Sequence, residues 1–168
     1  MKILTISGSA RNDSSNTRLL KNLDILNEKI DFRHTRLHFQ LPLFNAELEG
    51  NPPRVVQDWK KVISDVDCIV VCTPEYIRNM PAALKNALEW VTASGEMSGK
   101  KVLAMTYTPH KPRGEKAMQS LLWSLQALDA NILASLELYK TDLNIENDGK
   151  ITGNSSEMLK EALELFFY

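Results

Sequence analysis

Short apolar runs and helical stripes take turns along this chain. Ile3, Leu4 and Ile6 form the first run and predict a strand over residues 2–7. Leu19 and Leu20 open a helical pattern that predicts a helix over residues 16–28. Residues 31–38, with apolar Phe32 and Leu37, read as a weaker strand, and residues 41–53, with three prolines and one glycine, read as a loop. Val55, Val56, Trp59, Val62 and Ile63 recur at helical spacing, so residues 53–64 predict an amphipathic helix with proline in its first turn. The unbroken run CIVVC at 68–72 suits a strand covered on both faces. A helix over 81–92, a strand over 101–107, a helix over 115–128 and a strand over 132–138 follow. Asp148-Gly149 marks a tight turn, and Asn154 with Glu157 resembles a capping box opening a last helix over 157–166.

Five strands alternating with five helices argue for an α/β fold: a parallel sheet between two helical layers, wound by right-handed crossovers into a three-layer sandwich. The 168 residues suit one domain, with no internal repeat, linker or low-complexity stretch. Sites in such sheets lie at the carboxyl ends of the strands, near the point where strand order reverses. Three loops leave those ends: residues 9–16, 73–80 and 108–114.

The first loop carries the clearest chemistry. The chain passes from small Ser7-Gly8-Ser9 into the polar stretch Arg11, Asn12, Asp13, Ser14, Ser15, Asn16 before the helical pattern begins. A strand entering a helix through such a loop is a ready anion site, because helix N-termini offer unpaired N–H groups and partial positive charge. Ser9, Ser14 and Asn16 add side-chain donors, and Arg11 adds a planar fork suited to phosphate. Two readings stay open on spacing alone: a loop that wraps a monoester phosphate, or a hydroxyl-rich helix cap. The second loop is stiffened by Pro74 and Pro81, and Tyr76 offers a flat face at the mouth of the sheet, which suits a heteroaromatic ring or simple packing.

Charge and composition narrow the classes. Twenty basic and 21 acidic residues give a net charge of −1, with no block of one sign, so neither nucleic acid nor a charged membrane surface is expected as a partner. No apolar run is long enough to span a bilayer, and no signal segment is evident. Cys68 and Cys72 would face one side of a strand, too far apart along it to bridge, and read as buried thiols in a reducing cytoplasm. GEMSGKK at 95–101 has the wrong spacing and context for a P-loop. His34 and His38 lack an evident third metal ligand and read as exposed strand histidines, and His110 reads as a solvated loop residue. Cys72 has no visible base to activate it. Trp59, Trp90 and Trp123 fall on helical stripes as packing or interface residues.

Together the two loops resemble the NADPH-dependent FMN reductase family, whose phosphate loop follows GSxRxxSxN. Gly8, Ser9, Arg11, Ser14 and Asn16 match it, and Pro74, Glu75, Tyr76, Pro81, Leu84, Lys85, Asn86, Ala87 and Trp90 match the family's PEYN…PxxLKNAxDW, with Glu89 as the acidic residue. LPLFN at 41–45 and the Asp148-Gly149 turn also sit where the family has similar segments. Ile77 stands in place of the usual Asn, and the third loop has Gly114 alone where the family is glycine-rich. The resemblance implies a flavodoxin-like sheet of order 2-1-3-4-5 that binds FMN, with NADPH or NADH as co-substrate, in a homodimer or homotetramer. The acceptor it implies is a quinone, azo compound, metal oxyanion or free flavin. Ser9, Arg11, Ser14, Ser15 and Asn16 would hold the phosphate. Backbone of Thr73, Pro74, Glu75, Tyr76 and Ile77 would meet ribityl and ring, and no side-chain nucleophile or base is required. Arg78, Lys111 and Arg113 are candidates for the 2′-phosphate of NADPH. The competing classes are a flavodoxin-type electron carrier, against which the near-neutral charge and Arg11 speak, and a flavin-free interaction protein on the same fold.

Overall fold

The computed structural model describes residues 1–26 and 30–168. Its strands are β1 (Lys2–Ser7), β2 (Asp31–Thr35), β3 (Cys68–Thr73), β4 (Lys101–Thr108) and β5 (Asn131–Tyr139). They form one sheet in the order β2-β1-β3-β4-β5, every neighbouring pair parallel. The expected order 2-1-3-4-5 is therefore present, and strand order reverses between β1 and β3. β3 is buried along its whole length, as its continuous apolar run predicts.

Helices α1 (Ser15–Lys21), α2 (Arg54–Ser64), α3 (Ala82–Glu89), α4 (Glu115–Ala127) and α5 (Ser156–Glu164) cover both faces. Trp59, Leu84 and Leu121, from α2, α3 and α4, pack with Ile69 and Val71 on one face of the sheet. Leu19 of α1 and Leu159 of α5 pack with Cys68, Val70 and Cys72 on the other. The two cysteines thus share a face, buried and unbridged.

Three expectations about elements need correction. The first helix is short: α1 ends at Lys21 and a 3-10 turn over Leu23–Ile25 follows, while positions 27–28 of the expected helix lie outside the described residues. Leu19, Leu20, Leu23 and Leu26 keep the spacing that suggested a longer helix, but that spacing serves a 3-10 turn equally well. β2 stops at Thr35, and His38 lies instead in a 3-10 turn over Leu37–Gln40. The capping box is absent, because α5 begins after Ser155 with no side-chain cap. Gly153, at φ 108° against the Asp142 carbonyl, sets where that helix can start. A two-stranded hairpin, β6 (Asn144–Ile145) with β7 (Ile151–Thr152), closes around the expected Asp148-Gly149 turn. No helix among the described residues is long and apolar enough to cross a membrane.

Candidate functional site

The close approach of two strand ends builds the site. Gly8 N–H donates to the Cys72 carbonyl at 2.8 Å, and a Cβ on Gly8 would run into the side chain of fully buried Thr73. Only glycine lets the loop leaving β1 lie against the loop leaving β3.

Behind the first loop runs a chain of buried hydroxyls. Thr17 Oγ1 sits 2.9 Å from Ser7 Oγ, accepts from Ser14 Oγ at 2.9 Å and donates to the Arg11 carbonyl at 3.3 Å. Ser14 is the N-cap of α1, its Oγ accepting from Thr17 N–H at 3.1 Å. Of the two readings the spacing left open, the cap is therefore present for Ser14. Asn16 is turned inward: its Nδ2 donates to the Tyr107 carbonyl and its Oδ1 accepts from Cys72 Sγ–H at 3.1 Å. It braces the ends of β3 and β4 against α1. Burial pushes the Cys72 thiol well above its ordinary pKa, so this sulfur is a structural donor.

The second loop is a hairpin tip. Tyr76 and Asn79 exchange backbone hydrogen bonds at 2.9 and 3.0 Å across Ile77 and Arg78, which hold φ values of 50° and 54°. Both central residues are left-handed, the requirement of a type I′ turn, which Asn and Gly meet without strain. A β-branched residue there is an outlier costing ~1–2 kcal/mol. Ile77 is fully exposed, so no burial offsets that cost. Replacing Ile77 by Asn should stabilise the protein by ~1 kcal/mol and raise Tm by about 2–4 °C. A calorimetric melt showing a lower Tm would remove the strain from the argument.

Glu75 ties the second loop to the third. Its Oε2 accepts from the N–H groups of Gly114, Lys116 and Ala117 at 3.1, 3.1 and 3.2 Å, capping α4 from outside its own chain segment. Gly114, at φ 107°, has no side chain to do so.

The three loops enclose a cleft of about 480 Å³ at the carboxyl ends of the strands. It brings together Ser9, Arg11, Ser14, Ser15, Asn16, Pro74, Glu75 and half-exposed Tyr76. It does not take in Thr73, which is buried beneath Gly8, or Ile77, which projects outward. Sequence reasoning missed Arg18 and Lys140, which also line it. Lys140 follows β5 directly, so the rule that sites gather at carboxyl ends was the signal for it. Arg11, Arg18, Arg113 and Lys140 against Asp13 and Glu75 leave a surplus of two positive charges. A phosphate monoester carries about −1.5 to −2 at neutral pH, and the volume lies within the ~300–1,000 Å³ usual for ligand sites. The cleft therefore fits a phosphorylated, flat ligand.

Among the described residues no group of three or more His, Cys, Asp or Glu is placed to hold a metal. His38 is not an exposed strand residue as expected: it is 1 % exposed and its Nε2 meets the Ser7 carbonyl at 2.8 Å. His110 is exposed, as expected. Trp59 and Trp90 are buried, donating to the Ala87 and Pro42 carbonyls, whereas Trp123 is 63 % exposed.

Comparison with known proteins places the chain in a family. A family model for NADPH-dependent FMN reductase matches residues 1–141. A 2-hydroxy-1,4-benzoquinone reductase of Burkholderia sp is 33% identical over 172 residues, 99% of this chain and 92% of that protein. A quinone reductase of Escherichia coli (strain K12) is 27% identical over 138 residues, 79% of this chain and 73% of that one. In fold, the chain is similar to FerB, a flavoenzyme NAD(P)H:(acceptor) oxidoreductase from Paracoccus denitrificans. The TM-score is 0.80 and the identity 24%, covering 98% of this chain and 94% of that one.

Proposed function

Because the chain belongs to the NADPH-dependent FMN reductase family, an oxidoreductase family that works with FMN and NAD(P)H, we propose that it carries two electrons from a nicotinamide nucleotide to a small quinone-class acceptor. The observation that carries this reading is the cleft at the strand-order reversal, with its surplus of two positive charges beside exposed Tyr76. Bound FMN would supply the hydride chemistry, and the protein the binding and orientation. Arg11 and Arg18, which line the cleft, would hold its phosphate. Ser9 and Ser15 offer donors at the loop and the start of α1, while Thr17 holds that loop from behind and Asn16 fixes the start of α1 on the ends of β3 and β4. Pro74, Tyr76 and Pro109 form the walls for a flat ring. The acceptor class follows from the relatives, which are named for quinone reduction.

The test is anaerobic. Purified protein should retain or take up FMN, and NADPH should bleach its absorbance within turnover times. Flavin that binds without bleaching would make the protein an electron carrier, and no flavin uptake would make it an interaction protein.

A second cleft of about 440 Å³ shares Glu75 and Arg113 with the first. Of the three cations expected to meet a 2′-phosphate, Arg78 and Arg113 line it, joined by Lys116. Lys111 stands outside. NADPH should therefore be modestly preferred over NADH at low salt, the preference fading as salt screens exposed charges over ~10 Å. Equal kcat/KM for both nucleotides at low salt would sink this assignment.

The proposed assembly is a homodimer. Trp123 rims a groove of about 290 Å³ between α3 and α4, with Leu88, Ala127 and Leu128 in it. A second copy covering this face would bury the exposed indole. Light scattering should give twice the 19.0 kDa of the chain at micromolar concentration, and a purely monomeric species would overturn the assignment. The two free thiols suit a reducing cytoplasm.

A further inference from the structure

The connection leaving β2 grips the phosphate-side loop from the side away from the cleft. His38 Nε2 lies 2.8 Å from the Ser7 carbonyl. That carbonyl can only accept, so Nε2 carries the proton and Nδ1 does not. The other edge of the same peptide is pinned as well: Gly8 N–H, in the same plane as the Ser7 carbonyl, donates to the Cys72 carbonyl. Two residues before His38, Arg36 donates from Nη2 to the Ala10 carbonyl, its guanidinium over the Phe39 ring at 4.7 Å from the centroid. Holding the Ala10 carbonyl turns the Arg11 N–H of that peptide to the opposite side.

Packing alone does not account for these two side chains. His38 sits between aromatic rings, 3.9 Å from the Phe39 centroid and 5.7 Å from that of Trp59, in a site that a phenylalanine or leucine would suit. Its Nδ1 and Arg36 Nη1 are buried without a hydrogen-bond partner among the described residues. Such orphaned groups are costly, and an apolar residue would avoid the cost. What the imidazole and the guanidinium add is a hold on the Ser7 and Ala10 carbonyls, which bracket Gly8 and Ser9. Burial brings the His38 pKa down to about 4, so the ring is neutral under ordinary conditions and its hold does not alternate between protonation states.

We propose that His38 and Arg36 are positioning residues that preorganise the loop of residues 7–11 for a phosphate monoester. They touch no ligand and act through the backbone they hold. The proposal rests on the flavin-binding reading for its ligand, but not for its mechanical part.

Two flavins separate the possibilities, because riboflavin is FMN without the phosphate. Apoprotein of His38→Phe should bind FMN about tenfold more weakly than the parent while its riboflavin affinity is unchanged. His38→Gln, whose amide nitrogen reaches the Nε2 position, should restore most of the FMN affinity. Arg36→Leu should show the same FMN-only loss. In His38→Phe apoprotein, amide exchange at residues 8–11 should quicken while β3 and β4 stay protected. Equal losses for both flavins would reduce His38 to a packing residue. Unchanged exchange together with unchanged FMN affinity would overturn the proposal. Should the parent bind neither flavin, the functional reading falls, and the exchange measurement alone still decides whether the clamp exists.

Discussion

Gly8→Ala is expected to weaken FMN binding by about a hundredfold and to destabilise the fold by ~1–3 kcal/mol. The new Cβ would stand 2.8 Å from Thr73 Cβ and 3.1 Å from Thr73 Cα, besides meeting the hydroxyl. Thr73 has no room to yield, being fully buried at the end of β3 with β1 and β4 on either side. The strain must therefore go into the loop, and the loop is where the phosphate is held. A displacement of a few tenths of an ångström spreads through the Gly8–Cys72 bond to the Ser7–Thr17–Ser14 hydroxyl chain. Thr73→Ala in the same protein should recover only part of the loss, since it removes the hydroxyl and leaves the Cβ. Flavin titration and a thermal melt measure the two effects separately. An affinity within threefold of the parent would mean that the loops do not need this close approach.

The positions of the loops were legible in the sequence, and the division of labour within them was not. Alternation of apolar runs and stripes is enough to locate the five strands and five helices along the chain, because a parallel sheet buries its strands on both faces and leaves unbroken runs such as CIVVC. Pattern matching then singles out GSARNDSSN, yet it treats Ser9, Arg11, Ser14, Ser15 and Asn16 alike as phosphate ligands. In three dimensions Ser14 caps α1 and Asn16 braces two strand ends, while unmarked Thr17 is the hub that ties Ser7 and Ser14 to the Arg11 carbonyl. The same is true of the second motif. Asn86 and Trp90 belong to it, but their side chains hold the 41–45 segment, through the Phe44 N–H and the Pro42 carbonyl. That LPLFN and LKNALEW go together is a packing fact, invisible until the loop folds back on α3. His38 illustrates the converse error. A histidine in a weak strand pattern suggests exposure, whereas the chain turns into a 3-10 segment and buries it. Local period cannot register a tertiary contact made across 31 residues.

Glu75→Ala is the other change with a large expected effect, and its sign discriminates between two accounts of the residue. If Glu75 were only a negative charge lining the cleft, removing it would strengthen the binding of an anionic ligand. The geometry says that its carboxylate is already engaged, accepting from Gly114, Lys116 and Ala117 at the start of α4. Its loss uncaps a 13-residue helix whose own N-cap is a glycine, at a cost of ~0.5–2 kcal/mol from the cap, with a further fraction from the helix dipole. It also frees the Tyr76–Asn79 turn from the third loop, so that two walls of the cleft lose their connection. The expected result is a Tm lower by about 1–8 °C and FMN affinity reduced about tenfold, against the electrostatic trend. Glu75→Gln keeps an accepting oxygen in place and should retain most of both quantities. Tighter FMN binding in Glu75→Ala would show that charge, and not the tie between the loops, is what Glu75 contributes to the cleft.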